Sequence, residues 1–159
     1  MSTPTDSAAA APILFYDGVC GFCDRTVRFV LRHDPSGRFR FAPLQSTYAA
    51  AALARHGRDA GDLDTVALLL APDTAAERLL ARSDAVVAIL QGLGGVWRAL
   101  ALVRWLPRRL RDAAYDAFAR RRYRWFGRFD QCPLPSVELR ARLAAAAVED
   151  AAAGRRSTA

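Results

Sequence analysis

The sequence predicts an α/β fold: a four-stranded mixed sheet in the order β-α-β-α-β-β-α, followed by a C-terminal helical extension. Three observations predict it. Short apolar runs closed by turn residues alternate with stretches of helical period. Two of these runs, "TVALLLA" and "RLLAR", are separated only by a turn-like break and suit an antiparallel pair. From about residue 96 onward the spacing is helical throughout. A chain of 159 residues, 52% apolar and 25% charged, suits one compact domain. We expect a disordered tail over 1–12, a single domain over 13–154 with its extension starting near 96, and a second tail over 155–159.

Each element has a local reason. Ile13 to Tyr16 is a short apolar run ending in Asp17-Gly18, hence a buried strand and a turn. Cys23, Val27, Val30 and Leu31 then fall at i, i+4, i+7 and i+8, one face of a helix that His33-Asp34-Pro35-Ser36-Gly37 stops. "RFRFAPL" alternates arginine with phenylalanine, the period of a strand. Strand, helix and strand in that span form a βαβ unit with parallel strands. Ser46 caps "TYAAAALARH" and Gly57 ends it. After "TVALLLA" and "RLLAR", Ser83-Asp84 caps a helix through "AVVAIL". "VWRALALVRWL" runs to Pro107, which either kinks it or starts a new helix, "RRLRDAAYDAFARRRYRWF". "GRFDQCPLPS" is irregular, and Pro135-Ser136 opens a last helix, "VELRARLAAAAVEDAAA", ended by Gly154. The order is compatible with a thioredoxin-like sandwich.

The formal charge of +7 comes from arginine, since there is no lysine. Between Val96 and Asp130 stand ten arginines and three aspartates, so that segment alone carries +7. A basic face attracts nucleic acid, anionic lipid or an acidic partner, or is simply a solvated helical surface. Trp97, Trp105, Tyr115, Phe118, Tyr123 and Trp125 are interleaved with these arginines. Their helical spacing predicts burial against the sheet, and a peripheral membrane contact through residues 97–128 is the alternative. The apolar runs fall short of the roughly 20 residues that span a bilayer. The first residues lack a basic start and a cleavage site, which predicts a cytoplasmic location.

The chemistry centres on "YDGVCGFC". Cys20 stands where strand gives way to helix, so unpaired N–H groups and the helix dipole favour its thiolate. Cys23 lies one turn further in and more buried, within disulfide reach. In a dithiol catalyst Cys20 attacks a disulfide and Cys23 resolves the mixed disulfide. Gly18 and Gly21 leave the backbone open around the sulfur, and Phe22 offers an apolar contact for substrate. Asp17 has two readings of equal weight: a proton shuttle to Cys23, or a cap on the turn before the helix. Zinc is the main rival for the pair. Cys132, His33 and His56 are the other ligand candidates, without a second close pair, so no metal is expected. Cys132 is either a second resolving thiol or an idle one in the "QCPLP" turn.

"YDGVCGFCDRTVRFVLRHDPSGRFRFAPLQS" resembles the D-x-x-C-x-x-C signature of the DCC family of thiol-disulfide oxidoreductases. "RSDAVVAIL", "GGVWRALALVRWLPRRLRDAAYDAFARRRYRWFGR" and "CPLP" are similar to that family too, over roughly residues 13 to 142. The resemblance implies a thioredoxin-like fold and a redox role. A looser likeness to glutaredoxins implies a substrate-docking segment at Thr65-Val66-Ala67, where the glutaredoxin proline is replaced by Ala67. It also sets Ser83-Asp84 beside the turn that holds glutathione in those proteins, although a plain helix cap explains the pair as well. We therefore expect an enzyme: a thiol-disulfide oxidoreductase using Cys20, Cys23 and Asp17, with Gly21, Phe22, Thr65, Val66, Ser83 and Asp84 toward the substrate. The substrate is a disulfide-containing protein or a low-molecular-weight thiol, with no cofactor and no specific nucleic acid. The alternative is a non-catalytic module whose basic aromatic extension binds a membrane surface or an acidic partner.

Overall fold

The structure, a computed structural model, describes residues 11–59, 61, 66–129 and 136–143. Its elements are β1 (Ile13–Tyr16), α1 (Gly21–His33), β2 (Arg40–Pro43), α2 (Thr47–Arg55), β3 (Ala67–Leu70), β4 (Arg78–Ala81) and α3 (Arg82–Leu93). The extension follows as α4 (Gly95–Leu100), a 3-10 turn (Ala101–Trp105), α5 (Arg108–Phe126) and α6 (Val137–Ala141). The sheet order is β2-β1-β3-β4, with β1 parallel to β2 and antiparallel to β3, and β4 antiparallel to β3. This is the mixed four-stranded arrangement of a thioredoxin-like fold, and the strand-helix order is the predicted one.

Alternation along the strands builds two cores. Leu14 and Tyr16 point to one face with Phe41, Leu68 and, from α1 and α3, Cys23, Val27, Val30, Ala85 and Ile89. Ile13 and Phe15 point to the other with Ala42, Ala67 and Leu69, and there α2 closes the face with Ala49, Ala52 and Leu53. The alanines of α2 let it approach the sheet closely. The sandwich therefore has α1 and α3 on one side and α2 on the other.

Several details depart from expectation. Arg40 donates its backbone N–H to the Pro12 carbonyl at 2.9 Å, so the chain is already attached at a position expected to lie in the tail. Helix α3 starts at Arg82, directly after β4, and Arg82 takes a φ of 55° to make that reversal without a loop. Its N-cap is Ala81, which makes no side-chain bond, so Ser83-Asp84 does not cap it. The last helix spans Val137–Ala141 and breaks at Arg142, and the rest of its expected run toward Gly154 lies outside the described residues. Phe41 donates to the Arg142 carbonyl at 2.9 Å and pairs with Leu143, so the backbone leaves the helix to extend the free edge of β2. Of the aromatic residues of the extension, Tyr123 packs against the core on this face of the sheet, and Tyr115 and Phe118 are half-buried. Helix α5 lies over α1 and α3, one layer further out. Trp97 packs edge-on against Phe29 and His33, whereas Trp105 and Trp125 are exposed.

Candidate active site

β1 delivers the chain to the edge of the α1 N-terminus, and Cys20 is the N-cap residue, with extended backbone and no side-chain cap bond. The sulfur thus stands at the end of a thirteen-residue helix whose first N–H groups face it. Cys23 lies one turn on, and both are unbridged thiols. The Cys23 thiol donates to Cys20, the largest influence lowering the Cys20 pKa; burial opposes it, and the Cys23 and Phe22 N–H groups and the Arg122 charge add to it. The net result brings Cys20 down from 9.0 to about 6. Cys23 moves the opposite way, because it holds its proton against Cys20, is buried, and faces the Cys20 and Asp17 charges. The pair is therefore split into an anionic outer sulfur and a protonated inner one.

Cys20 is not exposed, as the glycine-flanked turn suggested; it is wholly buried. The reason is a strap formed just after α5. Gly21 donates to the Gly127 carbonyl at 3.3 Å and Phe129 donates to the Val19 carbonyl at 2.8 Å, an antiparallel bridge that sets Arg128 opposite Cys20. Position 21 must be glycine for this approach, since a Cβ there would collide with the Phe126 carbonyl oxygen. Gly127, at a φ of 76°, ends α5 and turns the chain onto the thiol.

Asp17 anchors the turn and the strap helix together. Its Oδ1 accepts from the Val19 N–H at 3.1 Å and from Gln45 Nε2 at 2.9 Å, and its Oδ2 accepts from the Tyr123 hydroxyl at 2.6 Å. Burial pushes this carboxyl up, but those bonds and the Arg122 charge outweigh it and hold the pKa below its ordinary value. Arg122 Nη2 donates to the Tyr123 hydroxyl at 2.8 Å and lies 4.0 Å from Asp17 Oδ2. Its guanidinium also covers the Tyr123 ring, 4.3 Å from the centroid. Arg122 is buried, and its Nε has no hydrogen-bond partner among the described residues. The Tyr115 hydroxyl is likewise buried without an acceptor among them.

The remaining predicted residues fall into two groups. Gly21 and Phe22 are at the thiols, but the Phe22 ring packs on α5, 4.6 Å from Phe118 and 5.1 Å from Phe126 between centroids. Val66 is buried at the entry to β3, within the core that holds both cysteines. Ser83 and Asp84 hold the start of α5: Ser83 Oγ donates to Asp112 Oδ1, and Asp84 pairs with Arg108 at 3.0 Å and Arg111 at 3.1 Å. Thr65 and Cys132 lie outside the described residues.

Arg122, Tyr123, Tyr115 and Gln45 were not anticipated. One signal was available for the first: Arg122 lies four residues from both Phe118 and Phe126 and three from Ala119, inside the apolar stripe of α5. An arginine in such a stripe is buried only with a charge to meet. Tyr123 and Gln45 carry no comparable mark, since their partner Asp17 is 106 and 28 residues away. Among the described residues no helix is long and apolar enough to cross a membrane.

Comparison with known proteins gives a consistent picture. The family model described as DCC1-like thiol-disulfide oxidoreductase matches residues 14–128. The uncharacterized protein YuxK of Bacillus subtilis is 31% identical over 130 residues, 82% of this chain and 91% of its own. A chloroplastic DCC family protein of Arabidopsis thaliana is 36% identical over 124 residues, 77% of this chain and 69% of that protein. No solved structure matches.

Proposed function

The chain belongs to the DCC1-like thiol-disulfide oxidoreductase family, and from that premise we propose that it exchanges disulfides through Cys20 and Cys23. The Cys20 thiolate attacks one sulfur of a substrate disulfide, forming the Cys20–substrate bond and expelling the other sulfur as a thiolate. Bonding of Cys20 to the substrate weakens the hydrogen bond and removes the charge that keep Cys23 protonated. The departing thiolate takes the Cys23 proton, and Cys23 attacks Cys20, releasing the second substrate sulfur. The substrate gains two electrons from the pair and one proton from Cys23; its second sulfur leaves as a thiolate that takes a proton from water, and the pair becomes a disulfide. A dithiol protein or a low-molecular-weight thiol returns it to the dithiol form.

The observation that carries this proposal is the opposite displacement of the two thiol pKa values at a helix start. Arg122 is the electrostatic partner of the Cys20 thiolate, and Asp17 is a positioning residue that holds Arg122 and Tyr123 in place. Substrate must displace the strap over residues 127–129 to reach the sulfur, so the buried Val66 is met only after it lifts. Ser83 and Asp84 act as the latch for α5.

Rapid alkylation of reduced protein as a function of pH tests the assignment. Cys20 should react with a midpoint near 6, and Cys20→Ser should lose all disulfide reduction. Cys23→Ser should accumulate a mixed disulfide through Cys20. A midpoint near 9, or full turnover in Cys20→Ser, overturns the proposal.

A further inference from the structure

Between α3 and α5 the chain carries a surface that the thiol chemistry does not use. Residues 96–111 contain five arginines and no acidic residue. Every residue from 102 to 110 is exposed. Among them Leu102 is 62% and Trp105 79% exposed, joined by Val103, Leu106 and Leu110, with Val96 at 71% and Leu100 beside them. Single exposed apolar side chains are ordinary, but seven within fifteen residues form a ridge that water penalises. Val103 and Leu106 also line an apolar groove of about 400 Å³ together with Phe22, Tyr115 and Phe118, so the ridge continues inward to the ring between the two cysteines.

The charges around the ridge indicate its occupant. Arg108 and Arg111 pair with Asp84. Arg98, Arg104 and Arg109 are exposed, and no ion pair engages them among the described residues. A tryptophan at the crest, aliphatic side chains beside it and arginines around them make up a lipid-interface surface: the indole suits the headgroup level and the guanidinium groups reach phosphates. Self-association across a two-fold axis would bring the same uncompensated arginines together, which is unfavourable.

We propose that the ridge over residues 96–110 docks this protein peripherally on an anionic lipid bilayer. The helices lie on the surface with Trp105 inserted, and the arginines reach the anionic headgroups. Docking does not depend on the disulfide chemistry and leaves the sheet and both cores intact.

Flotation of the full chain with vesicles tests it. Vesicles of phosphatidylcholine containing phosphatidylglycerol should carry the protein, phosphatidylcholine alone should carry much less, and added salt should release it. Trp105→Ser, at an exposed site outside the catalytic machinery, should reduce the bound fraction about tenfold through lost apolar burial. The double variant Arg104→Gln/Arg109→Gln should weaken binding and flatten its salt dependence. Disulfide reduction in vesicle-free solution should be unchanged in both variants. Failure to float with anionic vesicles overturns the proposal. So does equal flotation of wild type and Trp105→Ser, or a wild-type dimer that Trp105→Ser converts to monomer, which would make the ridge a self-interface.

Discussion

The Arg122 guanidinium contributes charge near the thiols and packing on Tyr123, and substitution separates the two. Arg122→Gln keeps some volume and polarity but removes the charge that favours the Cys20 thiolate. The alkylation midpoint of Cys20 should rise above its value near 6, and Arg122→Lys should restore part of the shift. A midpoint unchanged in Arg122→Gln would remove this arginine from the chemistry. Asp17→Asn keeps an acceptor for Val19 and weakens the grip on Tyr123 and Arg122. It should cost about 1–3 kcal/mol of stability, seen as a lower urea midpoint at constant m. If Asp17 acts by position, resolution of the mixed disulfide keeps pace. Slow resolution at full stability would make Asp17 a proton carrier instead.

At the scale of elements, the strap decides how much of the thiolate a substrate meets. Among the described residues two backbone bonds hold residues 127–129 over Cys20, so its opening is a local event that leaves the sheet intact. Phe129→Pro removes the N–H that reaches Val19, and Phe129 is partly exposed, so the fold should survive. The variant should alkylate at Cys20 several times faster at a given pH with the same midpoint. An unchanged rate would mean that reagents reach the sulfur without displacing the strap. Gly21→Ala should act likewise by forcing the Phe126–Gly127 turn outward, at a larger cost because the clash is with backbone. The helix and strand identities were legible from period and punctuation, Ser46 and Gly57 included, because capping and alternation are local properties. The strap was not. It pairs residue 20 with residue 128, and nothing in either sequence neighbourhood specifies the other.

For the whole molecule, the depressed Cys20 pKa links stability to pH. The folded value is about 6 and the ordinary value 9.0, so between them the unfolded chain binds more protons and stability rises with pH. The contribution is complete above the upper value and is lost as pH falls through the lower one. The stability of the reduced protein relative to Cys20→Ser should therefore increase from about pH 6 to about pH 9, and the oxidised protein should lack that slope. Urea titrations at several pH values check this. A constant difference across the window would contradict a thiolate in the folded state.

Local order alone determined much of this protein: the strand-helix sequence, the Cys20 position at a helix start, the break at Pro107 and the basic composition of the extension. These follow from interactions within a few residues, which periodicity, caps and turns record directly. Only the tertiary structure decided the surroundings of the sulfur. It brought Tyr123 and Arg122 from α5 onto Asp17, closed the strap over Cys20, and left Trp105 and its neighbours in water. Those outcomes depend on how layers pack at long sequence separation, and the same arginine or tryptophan reads alike on a helix whether packing buries it beneath a thiol or leaves it on the outer ridge.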